Sequence, residues 1–187
     1  PIYGARGAED RFLEFLSPDY VAMLRFTGEE AQRLGIRVDM ATGTGWPFGG
    51  GWITPEFADT RVRLRDGELV AEPTRMQVKR AAPGGAGLVV DPFSTHALEL
   101  YLEPIGRALD ELPRGLLRGQ FHDSFEYSGD WSRELPEAFR RMHGYDIADY
   151  ADALMSRTAA DAEIASRVKS DYRQTLAQMH LDYVRYW

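Results

Sequence analysis

The chain contains no cysteine, which excludes disulfides, thiolate metal sites and a cysteine nucleophile. That absence leaves the compartment open, since many exported enzymes also lack cysteine. No apolar run approaches the roughly 18 residues that suggest a membrane span. Basic charge is not in excess either. A net charge of −7 argues against a nucleic-acid partner, whose phosphates favour a concentrated basic face. Arg61, Arg63 and Arg65 do lie close together, but Asp59, Asp66 and Glu68 flank them, as on a solvated strand face. Several motifs are missing as well. Without a GxxxxGK[ST] string there is no sign of a P-loop, and without GxSxG a serine triad is unsupported. HxxxH, HExxH and EF-hand spacings are also absent, so no ligand spacing specifies a metal. At the N-terminus, Pro1-Ile2-Tyr3-Gly4 shows neither an initiator Met nor a signal-peptide pattern, and the sequence stops at Tyr186-Trp187; both ends read as cut.

What is present is a globular composition. With 44% hydrophobic and 27% charged among 187 residues, the chain lies far from the disordered regime and is long enough for one sizeable core. Ser17-Pro18-Asp19 is a helix start, and the spacing predicts an amphipathic helix to Leu34, weakened at Gly28 and ended by Gly35. A strand over Ile36–Ala41 follows, then a glycine-rich loop over 42–52 holding Trp46 and Trp52. Alternation around Asp66-Gly67 predicts a β-hairpin, within a β-rich insertion over about residues 58–82. Leu88-Val89-Val90-Asp91 reads as a buried parallel strand, Ser94 as the cap of a helix to about Leu112, and Leu116 to about Phe125 as a third strand. Helices are expected over Glu137–Met142, Tyr145–Leu154 and from Thr158 onward, the last with one apolar side.

This alternation predicts an α/β fold with a parallel sheet, either doubly wound or a partial (β/α)8 TIM-type barrel of about three βα units with a β-hairpin insertion. A complete barrel typically takes about 250 residues, so residues 1–187 would be a fragment of one catalytic barrel domain.

The third strand carries the chemistry. Arg118, Gln120, His122, Ser124 and Glu126 fall on one side of it, Leu117, Gly119, Phe121, Asp123 and Phe125 on the other. In a barrel the polar side points inward and Glu126 stands at the C-terminal mouth. There Glu126 can protonate a glycosidic oxygen, with His122 or Ser124 tuning it, or can form a salt bridge at the rim. Asp123 faces outward and can cap a neighbouring helix unless a bulge reverses it. Trp46, on the same rim, can stack on a sugar ring, or can pin the glycine loop together with Trp52. Asp39 and Asp91, on the other two strands, can bind sugar hydroxyls, hold a hard cation or cap helices.

Strings along the chain resemble the α-L-rhamnosidases of glycoside hydrolase family 106. They are Asp39-Met40-Ala41-Thr42-Gly43-Thr44-Gly45-Trp46-Pro47-Phe48 with Gly49 to Glu56, Lys79-Arg80-Ala81-Ala82-Pro83, Val89-Val90-Asp91-Pro92-Phe93-Ser94 and His122-Asp123-Ser124-Phe125-Glu126. Trp131, Phe139-Arg140-Arg141 and Gly144-Tyr145-Asp146 continue the match. The resemblance implies a (β/α)8 catalytic domain in a longer, exported protein, periplasmic or extracellular, that removes terminal α-L-rhamnosyl groups from oligo- or polysaccharides. It also implies inversion of stereochemistry and a calcium ion near the substrate. Onto this sequence it maps Glu126 as the general acid. Its partner, about 6.5–9.5 Å away in an inverting pair, would come from the remainder of the parent barrel. A related barrel glycosidase of other sugar specificity, and a non-catalytic carbohydrate-binding or degenerate barrel module, are the alternatives.

Overall fold

The computed structural model describes residues 7–155 and 162–187. These residues form a mixed α/β structure with three two-stranded sheets rather than a closed barrel. The chain divides into two compact units, one holding residues up to Glu56, Met76–Val90 and Glu99–Tyr127, the other Phe57–Arg75, Asp91–Leu98 and Ser128–Trp187. The beginning of the long C-terminal helix predicted from Thr158, and the terminal Pro1-Ile2-Tyr3-Gly4, fall outside the described residues.

In the first unit, α1 (Pro18–Arg33) starts where Ser17 accepts a hydrogen bond from the Tyr20 amide at 3.2 Å, and Gly35 beyond its end has φ 72°. Gly28 weakens helix propensity for a packing reason. A Cβ there would stand 2.4 Å from Cγ of Leu116, which fills the gap. Val21, Leu112 and Leu116 form a small core with Leu24 and Leu117, whereas Met23 and Leu34 stay exposed. Helix α1 leads into β1 (Val38–Ala41), which pairs in parallel with β6 (Leu117–Phe121). This is the one parallel pair among the described residues.

Two strand expectations need correction. Leu88 and Val89 form β5, which runs antiparallel to β2 (Gly49–Gly50) inside the glycine loop. A buried apolar run sets burial but not direction, and here the nearest free backbone belongs to the loop. The third strand stops at Phe121 rather than near Phe125. Its partner β1 ends at Ala41, and the residues beyond turn to local bonds: His122 Nδ1 lies 2.9 Å from the Asp123 carbonyl, and the Asp123 carboxylate accepts from the Ser124 amide at 2.7 Å. Such bonds compete with a ladder. On the side of the strand opposite Glu126, Leu117 packs into the small core while Phe121 and Phe125 are 56% and 50% exposed.

The second unit contains the hairpin of β3 (Thr60–Arg65) and β4 (Glu68–Pro73), closed by Asp66 and Gly67 at φ 52° and 84°. Positive φ at both central residues is the type I′ requirement that a DG pair meets. The predicted helices appear as α3 (Leu135–His143), a 3-10 turn over Ile147–Tyr150 leading into α4 (Ala151–Met155), and α5 (Ala162–Tyr186). Gly144 ends α3 at φ 78°. Phe139, Leu135, Ile147, Val168 and Met179 pack one core with Val62, Phe93 and Trp131. Full burial of such a side chain stabilises by about 1.5–3 kcal/mol. The apolar side of α5 is not uniformly covered: Ile164 and Val184 are exposed, while Ala165, Val168, Thr175, Met179 and Tyr183 are buried. Helix α2 (Thr95–Leu109) is capped by Ser94, whose Oγ accepts from the Ala97 amide at 3.0 Å.

Candidate active site

The glycine-rich loop is folded around one buried tyrosine. Tyr101 is fully buried and its hydroxyl donates to the Thr42 carbonyl at 2.6 Å. Phe48 and Trp52 stack on its ring at 5.3 and 5.7 Å, and the Trp52 indole N–H donates to the Tyr101 carbonyl at 3.2 Å. Burial pushes the Tyr101 hydroxyl titration far up, so it is a fixed donor rather than an acid.

From this base the loop presents Trp46. Its amide donates to the Lys79 carbonyl at 3.2 Å, and the Lys79 amide returns a bond to the Trp46 carbonyl at 2.9 Å. Gly45 makes the approach possible, because a Cβ there would lie 2.3 Å from the Lys79 carbonyl oxygen and 2.7 Å from a Val78 methyl. The Trp46 indole N–H donates to the Ser124 carbonyl at 2.9 Å. Edge-on contacts join the ring to Phe48 at 4.9 Å, His122 at 5.1 Å and Tyr127 at 6.3 Å. Trp46 therefore spends its donor inside the chain, and what remains for a ligand is ring surface.

Glu126 lies beyond the strand, in the irregular segment that Trp46 holds. The Lys79 ammonium donates to its Oε2 at 2.8 Å, with the two side chains 54% and 47% exposed. A pair so exposed contributes only about 0–1 kcal/mol to stability. His122 is half-buried against Trp46 and Phe48, the latter ring 4.8 Å away. Asp123 is exposed and turned onto the Ser124 amide. Thus Trp46, His122, Asp123 and Glu126 come together, with Lys79 added.

Asp39 does not join that group. Asp39 is held by both arms of the Arg118 guanidinium on the neighbouring strand, which keeps its carboxyl below the usual range. Asp91 belongs to the second unit and is buried, accepting from the Phe93 amide at 2.9 Å and from Ser132. Burial raises its pKa to about 7, and the nearby Asp59 and Glu134 carboxyls add to the rise. Asp59, which sequence reasoning missed, is equally buried and accepts from Thr74 at 2.8 Å, Ser128 at 3.3 Å and the Gly129 amide at 3.1 Å. Its pKa is raised by burial, against the effect of those bonds. Lys79 was visible only as part of a matching string, and Asp59 only as a charge flanking arginines. Long-range pairings give both their places.

Among the described residues no three His, Asp or Glu side chains converge on one point. Nor is any described helix long and apolar enough to cross a membrane.

Residues 68–185 match the family described as alpha-L-rhamnosidase, glycoside hydrolase family 106. A Formosa agariphila protein named "Putative beta-glucuronidase" is 29% identical over 112 residues, which cover 57% of this chain and 10% of that protein. The match therefore spans about a tenth of that relative's length.

Proposed function

Since the chain belongs to glycoside hydrolase family 106, by the match over residues 68–185, we propose that it forms part of a catalytic domain removing terminal α-L-rhamnosyl groups, with Glu126 as general acid. The observation that carries this reading is the placement of Glu126: a half-exposed carboxyl, held on one oxygen by Lys79, beside the ring surface of Trp46. Cleavage of a glycosidic bond needs a proton on the departing oxygen and a second carboxylate to activate water. Glu126 suits the first role. The second carboxylate, and with it inversion, is assigned to other parts of the parent domain.

The parallel β1–β6 pair supports a partial (β/α)8 barrel. Parallel sheets occur almost only with both faces covered and several strands joined by helices. In this reading each strand pairs further with strands of the parent barrel, and residues of about 58–82 are an insertion on it. Any calcium would draw its ligands from the parent domain, and the enzyme would act on glycans outside the cell. A second reading, a glycosidase for another sugar, is favoured by the name of the Formosa relative; a panel of aryl glycosides separates the two.

The test of Glu126 is Glu126→Gln in the intact protein that carries this chain. Hydrolysis of an alkyl rhamnoside, a poor leaving group, should fall by about 10²–10⁴-fold, the usual worth of acid assistance. A nitrophenyl rhamnoside, which needs less protonation, should lose far less. A loss below about tenfold on the alkyl substrate removes Glu126 from the acid role.

A further inference from the structure

Of the 22 basic residues in the chain only Lys79 and Lys169 are lysines. Every other cation is an arginine, and among the described residues arginine makes nearly all the exposed ion pairs: with Glu30, Asp39, Glu72, Glu103, Glu137, Asp146 and Asp182. Against that habit, the carboxylate read as catalytic is met by a lysine. The difference is chemical. A guanidinium forks over both oxygens of a carboxylate, as Arg118 does on Asp39, whereas an ammonium is a point donor that can occupy one oxygen and leave the other open.

Backbone geometry fixes that point donor. Reciprocal bonds to Trp46 hold the Lys79 main chain, and the Trp46 indole holds the Ser124 carbonyl two residues before Glu126. The circuit closes when Lys79 Nζ reaches Glu126 Oε2 at 2.8 Å. Carboxylate and ammonium thus hang from two segments tied to one tryptophan. Among the described residues Lys79 is the one donor to Glu126. An exposed pair of this kind adds little to stability, so its use lies elsewhere.

We propose that Lys79 is the positioning residue for Glu126: it fixes Oε2, so that Oε1 is the oxygen presented to the glycosidic bond. This rests on the reading of Glu126 as general acid. In the step itself the Oε1 proton passes to the departing oxygen as the C–O bond breaks, its electron pair staying on that oxygen, while water deprotonated by the second carboxylate bonds to the anomeric carbon. Glu126 is left as the carboxylate, and Lys79 neither gives nor takes a proton. The ammonium attracts the carboxylate more strongly than the neutral acid, so its hold tightens as the proton leaves, in the transition state rather than before it.

The experiment compares Lys79→Met, Lys79→Arg, Glu126→Gln and the double variant Lys79→Met with Glu126→Gln in the intact protein. Circular dichroism and melting establish that each is folded, and each is assayed at its own optimum pH. Lys79→Met should lower kcat on an alkyl rhamnoside about tenfold or more, move KM less than about threefold, and lose much less on a nitrophenyl rhamnoside. Lys79→Arg should fail to recover, because its fork closes off both oxygens; a mere tether would be restored by it. The double variant should be no slower than Glu126→Gln, as expected for two groups acting as one unit. If Glu126→Gln is impaired while Lys79→Met stays within about threefold of wild type, the inference falls and the acid reading stands. Full recovery by Lys79→Arg, or an equal loss on both leaving groups, also overturns it. Wild-type activity in Glu126→Gln would overturn the acid reading, and the inference with it.

Discussion

Gly45 shows how one missing side chain sets a site. With the Lys79 carbonyl 2.3 Å from where its Cβ would be, an alanine must push the two segments apart. Gly45→Ala is expected to destabilise the protein by about 1–3 kcal/mol, the usual cost of overpacking. It should also slow the alkyl rhamnoside more than the nitrophenyl one, though position 45 touches no substrate; thermal melts and the two assays check this. At this scale the sequence was partly legible. Trp46, His122 and Glu126 were visible because polar alternation and a glycine loop are local signals. That the Trp46 indole points to the Ser124 carbonyl is a contact 78 residues apart, and no local pattern encodes it. The partner of Asp39 was hidden for the same reason: Arg118 sits 79 residues away.

The elements were legible where capping or turn chemistry fixed them. Ser17, Ser94 and Asp66-Gly67 each mark a boundary that the structure keeps. Strand direction and strand length failed, because both depend on a partner: Leu88-Val89 found the loop, and β6 ended with β1. Between α3 and α5 the joint is polar at one edge. The Tyr145 hydroxyl donates to Asp171 at 2.8 Å, and His143 Nε2 lies 3.0 Å from the Thr175 hydroxyl. Tyr145→Phe should cost about 0.5–1.5 kcal/mol, one net hydrogen bond. Denaturant unfolding would show it, with α3 and α5 losing amide protection together.

For the molecule as a whole, the buried carboxyls predict a stability that depends on pH. Asp91 titrates near 7 when folded against an ordinary 3.8, so between those values the folded chain binds more protons than the unfolded one. Stability contributed by the protonated carboxyl is fully present below about pH 4 and falls as pH rises to about 7, at most about 1.4 kcal/mol per pH unit for one such group. Asp59, raised by burial as well, adds in the same direction. Amide exchange over residues 128–143, corrected for intrinsic rates, should therefore show more protection at acidic than at alkaline pH. Asp91→Asn, which keeps an acceptor for the Phe93 amide, should flatten that dependence. An unchanged slope would place the proton elsewhere.

The parallel pairing of β1 with β6 also has a consequence in time. Asp39 meets Arg118 only after 79 further residues have been made. At about 5–20 residues per second that is roughly 4–16 s of synthesis. Throughout that interval the edge of β1 that meets β6 has no strand beside it. Local helices form in about a microsecond, so this sheet is among the late events of folding. A nascent chain halted before Leu117 would carry an unpaired strand edge, a surface that chaperones and other strands recognise.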